Sequence, residues 1–232
     1  MPKLDIRLRT VASLINPQGD ASVVHGDIGS DHGGLLVSLL RSKRIAQGIA
    51  VENKSQPFDN SCRALQGLCA EVRFGDGLAV IQPGELTSLS ICGMGAESMV
   101  KILEAFPDRV PDHVVLQPNR QHELVRGWGL RNGFRLNEEQ IAWGHWPYAV
   151  ISLQRAKVSE FDASTPNDPA YDDVDLDAAL LFGPLILKRW EPKFADRLHQ
   201  EQAYLQGLTQ LRGDYEHRLH QIQKVLAVHA AR

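Results

Sequence analysis

ASVVHGDIGSDHGGLLVSLLR, residues 21–41, opens with an apolar run over 21–26, passes an acidic, glycine-rich turn, and resumes with apolar residues at helical spacing over Gly34–Arg41. Strand, turn and helix in that order make the first half of a βαβ unit. The same alternation recurs downstream. Apolar runs at Gly48–Val51, Ala70–Phe74, Leu86–Cys92 and His113–Gln117 are separated by helix-like segments near Pro57–Leu68, Ala96–Ala105 and Gln121–Arg131. This rhythm predicts a parallel sheet, with right-handed crossovers putting helices on both faces. After Gly133 it changes: Phe134–Trp143 and Tyr148–Gln154 are β-rich, and only Gly144–Pro147 lies between them. No helix fits there, so the two read as an antiparallel hairpin closing one sheet edge. Ahead of the sheet, Leu4, Leu8, Val11, Ala12 and Ile15 make one face of a helix.

Composition bounds the rest. A hydrophobic content of 43% supports a buried core, and no apolar run reaches the roughly 18 residues of a membrane span. The start, MPKLDIRLRT, has no apolar core of a signal peptide. Three cysteines, Cys62, Cys69 and Cys92, fit neither a disulfide framework nor a zinc pattern, and the nine histidines form no ligand spacing. The expectation is a cytoplasmic protein without a metal. Net charge is −3, but seven acids and no Lys or Arg lie between Glu160 and Asp177, and without that segment the chain would carry +4. Past it, Phe194, Leu198, Leu205, Leu208 and Leu211 form one apolar stripe, and Tyr215, Leu219, Ile222 and Leu226 another, with Gly213 between. The predicted division is a sheet domain over 1–156, an acidic linker over 157–176 and a helical domain over 177–232. The helical domain reads as an antiparallel pair or one long helix.

Each strand end carries a polar or glycine-rich signal. The first is DIGSDHGG, Asp27 to Gly34, where glycine permits close backbone approach and a helix N-terminus offers free N–H groups. The dinucleotide fingerprint G-x-G-x-x-G is absent, since Gly29-Ser30-Asp31 replaces its first part. Asp31 would repel a pyrophosphate but can face a sulfonium or an amino group, which favours S-adenosylmethionine. The competing reading is a plain turn capped by Ser30 and Asp31. Glu52 can bind the two hydroxyls of a ribose, and Asp76, between Gly75 and Gly77, can accept an adenine amino hydrogen. ICGMGAE, Ile91 to Glu97, lets backbone approach a ligand beside Met94, and LQPN, Leu116 to Asn119, ends in an amide able to bond a base. In an open parallel sheet such ends share one crevice. Five βα steps and a terminal hairpin are the layout of a class I methyltransferase: an α/β, Rossmann-like, seven-stranded sheet, parallel but for its edge hairpin, here followed by a small all-α, coiled-coil-like domain.

Taken in order, LDIRLRTVASLI, DIGSDHGG, AVENKSQPF, VRFGDGL, ICGMGAESM, LQPN and LRNGF resemble the bacterial TrmK family, as does LLFGPLILKRWEPKF in the tail. That family comprises tRNA (adenine-N1)-methyltransferases acting on a D-arm adenine with S-adenosylmethionine. The resemblance implies cofactor contacts from Arg7, Asp27, Gly29, Ser30, Asp31, Glu52, Asn53, Gly75, Asp76, Gly77, Cys92, Gly93 and Met94. It makes Asp31, His32 and Asn119 the candidates for handling the substrate. The chain departs from the family pattern at Gly33, usually Ala, at Ala96, often Gly, and at Asn53-Lys54, usually a Val-Val-like pair.

Adenine N1 has a free lone pair at neutral pH, so the expected chemistry is mainly in-line positioning of a flipped or unpaired base. Asp31 would stabilise the positive charge developing on the ring or take a proton from N6. No Asp/Asn-Pro-Pro-Tyr/Phe motif follows the fourth strand, in keeping with ring-nitrogen chemistry. Lys188, Arg189, Lys193, Arg197, Arg212, Arg218 and Lys224 are candidates for phosphate contact. The alternatives are a methyltransferase acting on another RNA, a protein or a small molecule, a non-catalytic RNA-binding protein, and a nicotinamide dehydrogenase. Oligomeric state is left open, a monomer included.

Overall fold

In a computed structural model that describes residues 4–20, 22–157, 168–211 and 213–231, the strands are β1 (Val24–Ile28), β2 (Gln47–Glu52), β3 (Ala70–Phe74), β4 (Ser88–Met94), β5 (His113–Pro118), β6 (Phe134–Trp143) and β7 (Pro147–Arg155). The first unit's helices are α1 (Ile6–Leu14), α2 (Gly34–Arg41), α3 (Ser55–Leu65), α4 (Ala96–Ala105) and α5 (His122–Arg131). Seven strands form one sheet in the order β3-β2-β1-β4-β5-β7-β6. β1 to β5 run parallel, β7 pairs antiparallel with β5, and β6 pairs antiparallel with β7. The predicted α/β fold with its edge hairpin is the observed one.

Strand order reverses direction after β1. The chain steps outward through β2 and β3, then returns to lay β4 and β5 on β1's other side. Right-handed crossovers therefore send α2 and α3 to one face and α4 and α5 to the other. On the first face Leu35, Leu36, Leu39 and Leu65 join Val11 and Leu14 of α1, and Ile15 just after it, over Ala50, Val115 and Val150 of the sheet. On the other, α4 buries Met99 and Leu103, and α5 buries Val125 and Trp128. Asp5 caps α1 by accepting the Leu8 N–H at 2.7 Å.

The bounds of β1, β4 and α3 differ from expectation in ways that pairing and turn geometry explain. β1 continues to Ile28, because Asp27 and Ile28 pair with Ala50 and Val51; position 21, its predicted start, lies outside the described residues. β4 runs over Ser88–Met94 rather than 86–92, with Met94 still partnered by Pro118 across a bulge. α3 begins ahead of Pro57, whose missing N–H is harmless within a first turn, and stops at Leu65, short of the left-handed Gly67.

The chain divides into two units, 1–168 and 169–232. Of the predicted acidic linker, residues 158–167, with Glu160 and Asp162, lie outside the described residues. Asp168 is buried and accepts the Leu136 N–H at 2.7 Å. The second unit contains α6 (Leu176–Phe182), α7 (Pro184–Arg189), α8 (Pro192–Gln206) and α9 (Asp214–Ala230). Proline opens both α7 and α8. Gly213 carries φ +49 ahead of α9, and α8 and α9 form an antiparallel pair rather than one long helix. Arg218 bonds Glu201, while Trp190, just before α8, stacks on His229 near the end of α9 at 3.5 Å. The predicted α8 stripe stops early: Phe194, Leu198 and Leu205 are buried, but Leu208 lies past the helix end and is exposed.

Candidate active site

The C-terminal ends of β1 to β5 lie along one sheet edge, and the loops leaving them carry the sequence-predicted residues. Asp27 is buried inside β1, and its Oδ1 accepts from the Ser90 hydroxyl at 2.6 Å. Burial pushes its carboxyl up from the usual range, against the Ser90 bond and the nearby Arg7 charge. Glu52, at the end of β2, is 5% exposed and accepts the backbone N–H of Asp31. Burial raises its pKa; that N–H opposes the rise, and the charges of Asp27 and Asp31 add to it. Gly29, Asp31 and Gly33 all have left-handed backbone, with φ of +71, +60 and +64. The competing reading of this turn, with Ser30 and Asp31 as caps, is not what forms: Gly33 stands at the N-cap without any side-chain bond. Instead the loop coils tightly and leaves Asp31 and His32 with exposed side chains 3.4 Å apart. Asn60 reaches His32 Nδ1 at 3.2 Å.

Next along the edge, Asn53 and Asp76 are exposed, and the Asn53 amide donates to Asp76 Oδ1 at 3.4 Å. Gly75 and Gly77 sit tight against Val80 and Ile102, so side chains there would clash. At β4 the backbone turns through Gly93 at φ +74. Met94 lies over the first loop: a Cβ on Gly29 would come within 2.5 Å of its Cε. Cys92 is half-buried, and burial pushes its thiol up, which keeps it from acting as a thiolate.

One organising residue escaped the sequence reading. Gln117, fully buried at the end of β5, accepts at Oε1 from Arg7 Nη1 at 2.8 Å and from the Gly93 N–H at 3.1 Å. Its Nε2 donates to the Pro118 carbonyl at 3.0 Å and to Asn119 Oδ1 at 3.3 Å. Asn119 in turn donates to the Gly93 carbonyl at 2.7 Å, so its amide ties two loops instead of standing open for a base. The available signal was a lone Gln in an otherwise apolar strand, a group that must find partners when buried. Arg7 also lies 6.0 Å from the Tyr148 ring centre.

Three carboxylates on adjacent strand ends, bare glycine backbone and a cation-bearing rim suit a polyhydroxylated ligand with a positive end. No cluster of metal ligands occurs among the described residues, and none of the described helices is long and apolar enough to cross a membrane. A cavity of about 560 Å³ opens at the opposite sheet edge, between Arg109, Arg155 and Pro111, and contains none of the predicted site residues.

Residues 4–151 match the family described as "Methyltransferase domain". The tRNA (adenine(22)-N(1))-methyltransferase of Bacillus subtilis (strain 168) is 33% identical over 214 residues, covering 89% of this chain and 84% of that protein. The crystal structure of the B. subtilis tRNA methyltransferase TrmK superposes with a TM-score of 0.80 at 28% identity, over 100% of this chain and 99% of that one. A Streptococcus pneumoniae protein, Sp1610, solved in complex with S-adenosyl-L-methionine, shares the fold with a TM-score of 0.79 at 24% identity, over 97% of this chain and 100% of its own.

Proposed function

This chain belongs to the tRNA (adenine-N1)-methyltransferase family, and from that premise we propose that it transfers a methyl group from S-adenosylmethionine to N1 of adenine 22 in the D-arm of tRNA. The observation that carries the reading is the convergence of Asp27, Glu52 and Asp76 with the left-handed Gly29 and Gly93 on one sheet edge. These residues fit the cofactor: Gly29 and Gly93 leave backbone bare where a Cβ would meet Met94 Cε at 2.5 Å and Arg7 Nη1 at 3.5 Å. The carboxylates match its hydroxyls, amino groups and positive charge. When bound, S-adenosylmethionine supplies an electrophilic methyl on sulfur.

The chain's own residues then have separate tasks. Asp27, Gly29 and Ser30 line the methionine end, Glu52 with Asn53 holds the ribose, and Asp76 between Gly75 and Gly77 meets the adenine. Cys92 lies by the cofactor, and Gly93, Met94 and Gly95 lie beneath the target base. Arg7, held by Gln117, faces the cofactor carboxylate or the substrate. Asp31 and His32, both exposed, meet the target adenine. Asp31 offers negative charge to a ring that becomes positive on methylation. Asn119 shapes the pocket through Gly93 rather than reaching for the base itself.

The helical unit is the proposed second contact with tRNA. Lys224 is already paired with Asp175 at 2.6 Å and Arg218 with Glu201, so these two can reach phosphates only by leaving their acids. Arg212 lies outside the described residues. The reading implies a cytoplasmic enzyme, consistent with three free cysteines. Isotope-labelled S-adenosylmethionine with unmodified tRNA, followed by nucleoside mass spectrometry, tests it. Labelled N1-methyladenosine is expected; cofactor binding without label in tRNA would move the substrate to another RNA, a protein or a small molecule.

A further inference from the structure

Behind the Asp27 carboxylate lies a buried hydrogen-bonded row with no part in the scheme above. Ser90 Oγ bonds Asp27 Oδ1 at 2.6 Å, His25 Nε2 stands 2.9 Å from the same Ser90 Oγ, and His25 Nδ1 stands 2.7 Å from Ser88 Oγ. All four residues are buried, none more than 3% exposed. Strand geometry assembles them. His25 and Asp27 are two apart on β1 and share a face, Ser88 and Ser90 do the same on β4, and the register sets His25 beside Ser88 and Asp27 beside Ser90.

Hydrogen inventory gives the row a direction. An ionised Asp27 only accepts, so the single hydroxyl hydrogen of Ser90 goes to it. Ser90 can then offer His25 only a lone pair, so His25 Nε2 carries a hydrogen. Burial, with a contribution from His113, pulls His25 down to about 3 and keeps it neutral. Its Nδ1 is therefore bare and accepts from Ser88. Every dipole in the row points toward Asp27.

We propose that Ser88, His25 and Ser90 form a positioning relay that fixes the plane of the Asp27 carboxylate through one oxygen and turns the other toward the positive methionine end of S-adenosylmethionine. The proposal rests on the cofactor reading above. The charged and titratable groups around Asp27 show why a relay is needed. Glu52 on β2, Asp31 in the following loop and the thiol of Cys92 on β4 are acidic, His32 is its loop neighbour, and Arg7 on α1 is the cation whose charge favours the ionised form. Burial pushes Asp27 toward its proton, and the Ser90 and Ser30 hydroxyls and the Arg7 charge oppose it.

Calorimetric titration of the full-length protein with S-adenosylmethionine between pH 5.5 and 8.5 tests this, using the wild type and Ser90→Ala, His25→Leu and His25→Gln variants whose folding is checked by circular dichroism. Loss of a bond to a buried carboxylate should weaken binding about 10-fold at pH 7 in Ser90→Ala and His25→Leu. Their affinity should also start to fall about one pH unit earlier on acidification. His25→Gln, which keeps an N–H for Ser90, should recover much of both effects. Nitrogen-15 NMR of the wild type without cofactor should find His25 neutral with its hydrogen on Nε2. An Nδ1-protonated or charged His25 at pH 7 would overturn the relay even if every variant unfolds, and so would a Ser90→Ala variant whose affinity and pH profile match the wild type. Wild-type protein that binds no S-adenosylmethionine at any pH would overturn the cofactor reading and with it the relay's role, whereas the NMR result still decides whether the row exists.

Discussion

Asp31 combines two properties that a single substitution can confuse. Its backbone is left-handed, at φ +60, and its carboxylate is exposed at the mouth of the site. Alanine at such a position adds roughly 1 kcal/mol or more of backbone strain to the loss of charge, whereas asparagine tolerates the conformation. Asp31→Asn is therefore the cleaner probe. Turnover measured with saturating tRNA and cofactor should fall at least about 10-fold with the melting temperature unchanged, as expected for a lost interaction with developing charge. Unaltered turnover would remove Asp31 from the chemistry. At this scale the sequence was informative where a residue type implied a need. Three acids at three strand ends and the glycines around them were legible. Gln117 was not, because its value lies in partners 110 and 24 residues away, Arg7 and Gly93, and no local pattern encodes a distance of that kind.

The strands and most helices were legible because burial on both faces leaves continuous apolar runs, as in Val114–Leu116 of β5. Strand and helix ends were less so, since pairing with a neighbour, as between Ile28 and Val51, extends a strand beyond what its own residues suggest. Charged residues inside elements were also opaque. Arg126 of α5 and Glu139 of β6 form an ion pair at 3.1 Å, 1% and 0% exposed, which fastens the last helix of the sheet unit to the edge hairpin. Removing one member takes a charged partner from a fully buried charge. Glu139→Ala should destabilise the protein by about 3–5 kcal/mol in chemical denaturation. A loss below about 1 kcal/mol would mean that water reaches Arg126 in the variant.

For the molecule as a whole, acid sensitivity is the measurable property. His25 falls to about 3 when folded, below its ordinary 6.5. Its contribution to stability is complete above pH 6.5 and is lost as pH falls toward 3, at about 1.4 kcal/mol per pH unit. Asp27 and Glu52, whose pKa values rise on folding, run in the opposite sense and are relieved by acid. Urea denaturation of wild type and His25→Gln at pH 4.5, 5.5 and 7 isolates the histidine: the wild type's advantage should shrink by roughly that slope. A constant gap would mean that the ring titrates alike in the folded and unfolded chain. The division into units makes a second test. A chain ending at 156 lacks the Asp168 carboxylate that meets the Leu136 N–H, whereas one ending at 168 keeps it. The longer version should melt higher, by about 1–3 kcal/mol of stability, and bind cofactor like the full chain but tRNA more weakly. Equal tRNA affinity would show that the helical unit is not the grip.

The sheet order also bears on how the protein is made. Within the sheet β6 pairs only with β7, and β7 lies between β6 and β5, so the outermost strand leaves the ribosome before the strand that attaches it. During that interval a ten-residue strand has no partner, and the open edge of β5 is equally unguarded. The nascent chain is thus most exposed to wrong pairing while residues 144–155 are still being added, and a ribosomal pause within that stretch would be the costliest one in the message.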